Sequence, residues 1–195
     1  MKPNTAASRP CHRLAATLVG LGSCLPACLS TAPPAPPIRW FDPTPMRAAA
    51  DAPHADPVDL RVVAAPHLGR EFVVRIAERE LAFDGQHGWI DEPGPLVAAA
   101  LAQVVGLSRP GGQSALVEVA VFELDLTAAP RAHVQLVVQT AGAQRVLDAW
   151  APAADRAPAS FAAAMASALA DAATQAGRVI ATAGAAAAAA PPVSR

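Results

Sequence analysis

Apolar and polar residues alternate in three short stretches that open the body of the chain. Residues 58–64 (VDLRVVA) and 71–76 (EFVVRI) are rich in β-branched side chains, and residues 80–84 (ELAFD) place Leu81 and Phe83 between polar neighbours. These patterns predict three strands. Residues 95–107 (PLVAAALAQVVGL) predict a helix packed on the sheet, because Pro95 suits a first helical turn and the breaker RPGG follows.

The second half repeats this order of patterns. Residues 115–126 and 131–140 predict two long strands, and residues 144–150 a third; the short intervals TAAP and AGAQ between them suit hairpins and indicate a meander. In residues 131–140, Val134, Leu136 and Val138 alternate with polar residues, so one face of that strand is expected to be wet.

A closing helix is expected to begin at Ser160 as its N-cap and to end before Gly184. One stripe of this helix is apolar, as expected for a core-facing side, and comprises Phe161, Met165, Leu169, Ala173, Ala176 and Ile180. The element order is therefore β-β-β-α-β-β-β-α. We expect an α/β (α+β) fold with one mixed, largely antiparallel sheet covered by two helices.

The first 23 residues have the pattern of an export signal. Lys2, Arg9 and Arg13 form a positive region without acids, and residues 14–23 form an apolar run of ten residues. That length is typical of a secretory signal and too short to span a bilayer. Residues 1–23 are therefore interpreted as a lipoprotein signal peptide. The term lipoprotein rests on the cysteines that follow, at positions 24 and 28.

All three cysteines lie near the N-terminus, at Cys11, Cys24 and Cys28, so no disulfide is expected within the body of the chain. Residues 21–24 (LGSC) and 25–28 (LPAC) both resemble the lipobox of bacterial lipoproteins. Cys24 is the preferred lipidation site, because the proline before Ala27 should hinder the extended binding that a signal peptidase requires. Cys28 is the alternative.

Lipidation would anchor the chain to a membrane without spanning it. The covalent diacylglycerol and N-acyl lipid at the N-terminal cysteine would be its only cofactor. Loss of residues 1–23 lowers the number of basic side chains from 15 to 12, against 16 acidic ones, so the mature chain is mildly acidic. The sequence has no cluster of Lys and Arg that would suggest nucleic acid as a partner. Leu25 after Cys24 resembles the pattern that permits sorting to the outer membrane, facing the periplasm.

Proline and alanine set the outer boundaries of the folded domain. Residues 24–37 include STAPPAPP and predict a lipidated, extended tether, which would reach up to about 40 Å from the membrane. Residues 184–195 (GAAAAAAPPVSR) consist mostly of Ala and Pro and are expected to form a disordered tail. The domain is therefore expected to occupy residues 38–183.

Several motifs within that domain carry a family resemblance. They are RWFDP at residues 39–43, VVAAPHL at 62–68, EFVVRIAERELAFDGQHGWIDEP at 71–93 and the helix that follows. With the signal and the tether, they resemble the ABC-type transport auxiliary lipoproteins, the PqiC/YmbA-like family. Asp42 and Pro43 depart from the usual ending of that family's aromatic first strand.

The resemblance implies a non-enzymatic part of an envelope lipid transport system. Such lipoproteins act with an ABC permease, its ATPase and an anchored protein with mammalian-cell-entry (MCE) domains, which together move lipid between the inner and outer membranes. The MCE-domain protein would be the partner of this chain, and a homo-oligomer is left open. The alternatives are a lipoprotein that regulates cell-wall synthesis and an assembly factor of lipopolysaccharide export.

An enzymatic alternative rests on one polar segment, FDGQHGWIDEP, in which Asp84, His87, Asp91 and Glu92 could ligate a metal or share a proton. Their spacing matches no defined site, and a polar loop before a helix commonly carries acids because they favour the helix N-terminus. We expect a structural loop, with no catalytic residue and no metal, and the chain contains no G-x-S-x-G, P-loop or G-x-G-x-x-G motif.

Two residues are candidates for a protein interface. Trp89 is either a core anchor between the sheet and the first helix or an exposed interface residue. Arg75 either extends to the rim of the sheet or pairs with an acid such as Glu78 or Asp84.

Overall fold

Seven strands and two helices make up the described parts of the computed structural model, which are residues 35–45, 58–105, 113–141 and 143–188. The strands and helices, in chain order, are β1 (Arg39–Phe41), β2 (Val58–Ala64), β3 (Glu71–Ala77), β4 (Glu80–Trp89), α1 (Pro93–Val105), β5 (Gln113–Asp125), β6 (Arg131–Thr140), β7 (Ala143–Pro152) and α2 (Pro158–Ala188). The α+β class and the mixed sheet with two helices are confirmed.

The sheet has the strand order β1-β4-β3-β5-β6-β7, and β2 also pairs with β5. Strands β5, β6 and β7 form the expected antiparallel meander. Strand β5 is long enough to pair in parallel with β2 over residues 113–119 and with β3 at Leu124 and Asp125. A register shift between Val119 and Val121 separates these two stretches. Strand β5 is therefore the central strand on which the two halves of the fold meet.

The helices cover one face of the sheet. Helix α2 packs on β6 and β7, helix α1 packs on β2 and β5, and the two helices contact each other. The alternation expected in β6 is confirmed, because Val134, Leu136 and Val138 are buried. Every residue of the apolar stripe of α2 is buried as well. Burial of each large aliphatic side chain contributes about 1.5–3 kcal/mol relative to exposure, so the packing of α2 on β6 stabilises the fold.

The first of the two halves contains more strand than its periodicity predicts. Strand β1 was expected only from the family resemblance. Strand β4 continues to Trp89, so the prediction of a loop after Asp84 is wrong for residues 85–89. The reason is tertiary: β1 pairs in parallel with residues 87–89 and supplies backbone partners that the local sequence does not reveal.

Helix α2 begins and ends differently from the prediction. Ser160 is not the N-cap, because the helix begins at Pro158, a residue suited to the first helical position. The backbone N–H of Ala157 instead donates to Oδ1 of Asp155 (2.8 Å). At the other end the helix continues through Gly184 to Ala188, so the expectation of a disordered tail is wrong for residues 184–188. Alanine has the highest intrinsic helix propensity, which favours this continuation of α2.

Several expectations fall outside the described residues. They are the signal peptide at residues 1–23, the lipidation candidates Cys24 and Cys28, most of the tether, and the tail beyond residue 188. Neither α1 nor α2 combines the length and the apolar character that crossing a membrane would require, and this finding refers to the described part of the chain.

Candidate functional site

The face of the sheet opposite the helices is not covered by any described element. Large apolar side chains lie exposed on it, including Phe83 (58% exposed), Val146 (56%) and Trp150 (43%). Between them lies a group of charged side chains from β3, β5, β6 and β7. We call this surface the open face and define its charged part by Arg75, Glu123, Asp125, Arg131, His133 and Asp148.

Arg75 and Glu123 form a bidentate ion pair that joins β3 to β5. Nε of Arg75 donates to Oε1 of Glu123 (2.6 Å) and Nη2 donates to Oε2 (2.8 Å). Nη1 also donates to the backbone carbonyl of Glu78 (2.9 Å). Of the two alternatives for Arg75, pairing with an acid matches the structure, but the partner is Glu123 rather than the carboxylate of Glu78 or Asp84. Strand pairing brings residues 48 positions apart together, which sequence proximity does not indicate.

The environment of Glu123 favours its charged form. Its side chain is almost fully buried, which by itself would raise the pKa of the carboxyl. The nearby His133 ring and the guanidinium of Arg75 outweigh burial and hold the pKa of Glu123 below its ordinary value. The contact with Arg75 is a hydrogen bond, whereas Nδ1 of His133 lies 3.7 Å from Oε1 of Glu123, beyond hydrogen-bond distance.

His133 lies between two carboxylates and is only 7% exposed. Its Nε2–H donates to Oδ1 of Asp148 (2.9 Å), because the carboxylate can only accept. Gln135 donates to the same oxygen (3.0 Å). The hydrogen bond from His133 lowers the pKa of Asp148. The expectation of a wet face on β6 is therefore wrong at His133, whose ring is shielded from water.

Trp150 supplies that shielding. Its indole stacks on the imidazole of His133 with a centroid distance of 3.6 Å and an angle of 7° between the ring planes. The guanidinium carbon of Arg131 lies 4.0 Å from the centroid of the Trp150 ring. Because cations are attracted to the faces of aromatic rings, the contact with Arg131 stabilises the position of Trp150, which is partly exposed.

Arg131 also pairs with Asp125 at the end of β5. Nη2 and Nε of Arg131 donate to Oδ2 of Asp125 at 2.6 and 2.9 Å, and Thr127 donates to Oδ1 through its backbone N–H (2.9 Å) and its hydroxyl (2.6 Å). Burial would raise the pKa of Asp125, but the hydrogen bonds from Thr127 and Arg131 outweigh it and lower the pKa. All six side chains of the charged part therefore have partners before any ligand binds.

The acidic segment considered as a metal or proton-transfer site is only partly assembled. Nδ1 of His87 lies 2.7 Å from Oδ2 of Asp84, whereas Oδ1 of Asp91 accepts from the backbone N–H of Glu92. Within the described ranges, no group of three or more His, Cys, Asp or Glu side chains has an arrangement that could hold a metal ion. The segment forms part of β4 and the turn after it, and Asp84 and Asp91 each accept a hydrogen bond from a nearby backbone N–H (2.8 Å each).

Trp89 lies in the core. Its side chain is 1% exposed and contacts Phe72, with ring centroids 4.1 Å apart, and Phe122, edge to face at 5.4 Å. Of the two readings offered by the sequence, the core anchor matches this environment, because a buried indole has no surface for a partner. The exposed tryptophans among the described residues are Trp40 and Trp150.

Sequence reasoning missed Glu123, His133, Asp148 and Trp150 as a group. They lie on three strands and become neighbours through the register of β5, β6 and β7, in which His133 is directly opposite both Glu123 and Trp150. The available signal was the polar alternation of β6. Pairing the two predicted hairpins in register would have placed Trp150 beside His133.

Comparison with known proteins gives a fold but no direct sequence relative. No family model and no curated protein matches the sequence. Protein XCC0632 from Xanthomonas campestris, described as a DUF330 protein, has a similar crystal structure, with a TM-score of 0.66 and 17% identity over 77% of this chain and 99% of that chain. A second crystal structure, of an uncharacterized protein, gives a TM-score of 0.53 and 14% identity over 75% and 97% of the two chains.

DUF330 is the PqiC/YmbA-like family that the sequence motifs resemble, so the structural comparison is consistent with that resemblance. At these identities the likeness concerns the backbone fold. The chain therefore has the α+β fold seen in a DUF330 protein of Xanthomonas campestris.

Proposed function

We propose that this chain is an outer-membrane-anchored periplasmic lipoprotein that acts as a non-catalytic accessory component of an ABC/MCE-type intermembrane lipid transport system. The observation that carries the proposal is the fold match to a DUF330 protein across 99% of that protein's chain. The lipobox-like cysteines and the proline-rich tether at the N-terminus add independent support.

In this proposal the lipid at Cys24, or alternatively at Cys28, holds the domain at the membrane. One acyl chain binds a membrane only marginally, whereas a cysteine with several acyl chains is held stably. The tether would let the domain meet a partner that extends across the periplasm. The covalent lipid would be its only cofactor.

The open face is the surface that we assign to the MCE-domain partner. It presents exposed Phe83, Val146 and Trp150 beside arginines, and aromatic residues and arginine are enriched at the centres of protein interfaces. Its ion pairs are already formed, so the partner would not have to order these side chains on binding.

The same geometry argues for binding rather than catalysis. A histidine hydrogen-bonded to an aspartate is an arrangement that a general base can use. Here Trp150 stacks on His133 at 3.6 Å, and the ring exposes only 7% of its surface. A substrate could reach His133 only if the Trp150 indole moved away.

Metabolic labelling with radioactive palmitate tests the anchor. The wild-type chain should incorporate label, Cys24→Ser should abolish it, and Cys28→Ser should leave it unchanged. Label that survives Cys24→Ser and is lost in Cys28→Ser moves the anchor to Cys28. An unlabelled wild-type chain with an unmodified N-terminus contradicts the lipoprotein assignment.

Affinity purification of the full mature chain from detergent-solubilised envelopes tests the partner. The MCE-domain protein should co-purify with the wild-type chain, and deletion of the gene should reduce the lipid asymmetry of the envelope. Recovery of only a cell-wall synthase, or of only lipopolysaccharide export proteins, contradicts the transport role and supports the corresponding alternative.

A further inference from the structure

A cavity lies on the helix side of the sheet, between the β6–β7 turn and the last turns of α2. Its volume is about 320 Å³, at the lower end of the range for small-molecule sites. The lining includes Thr140, Arg145, Arg178 and Thr182, with Val179 and Ala183 providing apolar surface. None of the described residues that line it carries a carboxylate.

The two arginines of this cavity differ from those of the open face. Arg75 and Arg131 each pair with a carboxylate. Arg145 and Arg178 form no ion pair with any residue that the structure describes. Two guanidinium groups at one cavity create a local positive charge that an anion would neutralise, and the planar fork of each group suits the oxygens of a phosphate.

Thr140 is a second, independent observation. Its hydroxyl oxygen is buried and has no hydrogen-bond partner among the described residues. Burial of a hydroxyl without a hydrogen-bond partner costs free energy of folding. Such groups therefore commonly form a hydrogen bond to a ligand or to water. Thr140 is also one of the residues that line the cavity. Thr182 is already satisfied, because its hydroxyl donates to the carbonyl of Arg178 (2.8 Å).

We propose that this cavity is a binding site for a phosphate group, held by Arg145 and Arg178 and completed by the hydroxyl of Thr140. Two monocations match the charge of a phosphate dianion, and the cavity has room for the phosphate and the few atoms attached to it. The phosphate can be free or can be the headgroup of a lipid. The site is separate from the open face and does not depend on the proposed transport role.

Isothermal titration calorimetry of the full mature chain in detergent, with inorganic phosphate at constant ionic strength, tests the site. We expect one saturable site, weakened at least about tenfold by either Arg145→Gln or Arg178→Gln, as expected for loss of a charge-assisted hydrogen bond. Arg79→Gln removes an exposed arginine outside the cavity and should bind as the wild type does. Circular dichroism establishes that each variant is folded.

Thr140→Val separates a ligand role from a merely structural one. Valine has nearly the same shape but no hydroxyl, so the free chain should be as stable as the wild type or slightly more stable, while phosphate affinity falls. Unchanged affinity in Thr140→Val would remove Thr140 from the site. If the Arg145→Gln/Arg178→Gln double variant binds phosphate with the same affinity as the wild type, the proposed site is overturned as a whole.

Titration with dihexanoyl phosphatidic acid distinguishes the two sources of phosphate. Affinity at least tenfold tighter than that of inorganic phosphate assigns the site to a lipid headgroup, and equal or weaker affinity assigns it to free phosphate. Absence of saturable binding of both compounds to the wild-type chain overturns the proposal, whatever the outcome of partner purification.

Discussion

The imidazole of His133 and the indole of Trp150 lie parallel at 3.6 Å, directly opposite each other on β6 and β7. His133 also reaches towards Glu123 on β5 and donates to Asp148 on β7. Glu123 in turn holds Arg75 on β3. Side chains thereby connect four strands across the open face, in addition to the backbone pairing of the same strands.

Removal of the charge of Glu123 should weaken this connection. We expect Glu123→Gln to lower the free energy of unfolding by about 2 kcal/mol, because a charge-assisted pair with Arg75 is lost and the buried position is kept polar. Urea denaturation followed by circular dichroism measures the change.

Glu78→Gln is the matched control for that experiment. Glu78 is exposed and contributes its backbone carbonyl, rather than its carboxylate, to Arg75. This variant should differ from the wild type by less than about 0.5 kcal/mol. Equal destabilisation by the two variants would show that the Arg75–Glu123 pair does not stabilise the sheet.

The pKa of Asp125 gives a pH-dependent prediction. Its pKa is lowered in the folded state, since the hydrogen bonds of Thr127 and Arg131 outweigh burial. The stabilisation is therefore complete above the ordinary pKa of about 4 and is lost as pH falls through the lower folded value. Asp125→Asn should cost about 1 kcal/mol at pH 6, a value reduced for the exposure of Arg131.

The cost of Asp125→Asn should shrink as pH falls from about 4 towards 2, because the wild-type carboxyl then becomes neutral as well. Denaturation curves of both proteins at pH 6, 4 and 3 give the difference in their free energies of unfolding. Groups that titrate in both proteins contribute equally to each and cancel in this difference. A difference that stays constant or grows on acidification would contradict the ionised pair.

Gly88 should not tolerate a side chain. A Cβ at Gly88 would lie 2.5 Å from the Trp40 ring and 2.8 Å from the backbone carbonyl of Arg70, and the guanidinium of Arg70 stacks on Trp40 at 4.3 Å. Gly88→Ala should therefore displace β1 and cost at least about 1–3 kcal/mol. In Gly85→Ala the new Cβ meets nothing within 4 Å, so this variant should be close to neutral.

Thermal denaturation of the two glycine variants checks this prediction. The chain has three tryptophans, and their fluorescence overlaps, so a change at Trp40 alone would not be distinguished. Circular dichroism is therefore the better readout of unfolding. Equal melting temperatures for Gly88→Ala and Gly85→Ala would contradict the close approach of Trp40 to β4.

The local elements of the fold follow from sequence, because their hydrophobic patterns are strong. The stripe of α2 from Phe161 to Ile180 and the alternation of β6 predict which residues are buried. The second half of β4 does not follow, since the partners of residues 87–89 are distant in sequence: β1 on one side and, at Gly88, Glu71 of β3 on the other. The helical start at Pro158 was missed because Ser160 is also a good capping residue.

The charged part of the open face needs information that periodicity does not contain. One of the two alternatives for Arg75 paired it with an acid nearby in sequence, yet its partner Glu123 is 48 residues away and reaches it through the parallel pairing of β3 with β5. Sequence spacing predicts contacts within a hairpin or a helix. Contacts across a parallel pair depend on the topology of the whole sheet.

A charge on the open face should impair partner binding without harming the fold. Val146 lies on the same face as Asp148 and Trp150 and is 56% exposed, so Val146→Asp removes little packing. We expect at least a tenfold loss of MCE-domain protein in affinity purification, as for a charge placed in an interface core. Ala163→Asp, on the exposed side of α2, is the control and should purify the partner normally.

Site-specific photo-crosslinking in intact cells tests the central claim most directly. A photoreactive phenylalanine at position 146 should form an adduct with the MCE-domain protein of an ABC-linked transporter, identified by mass spectrometry, and the same residue at position 163 should not. An adduct from position 163 but none from position 146, or adducts only with a cell-wall synthase, would contradict docking through the open face.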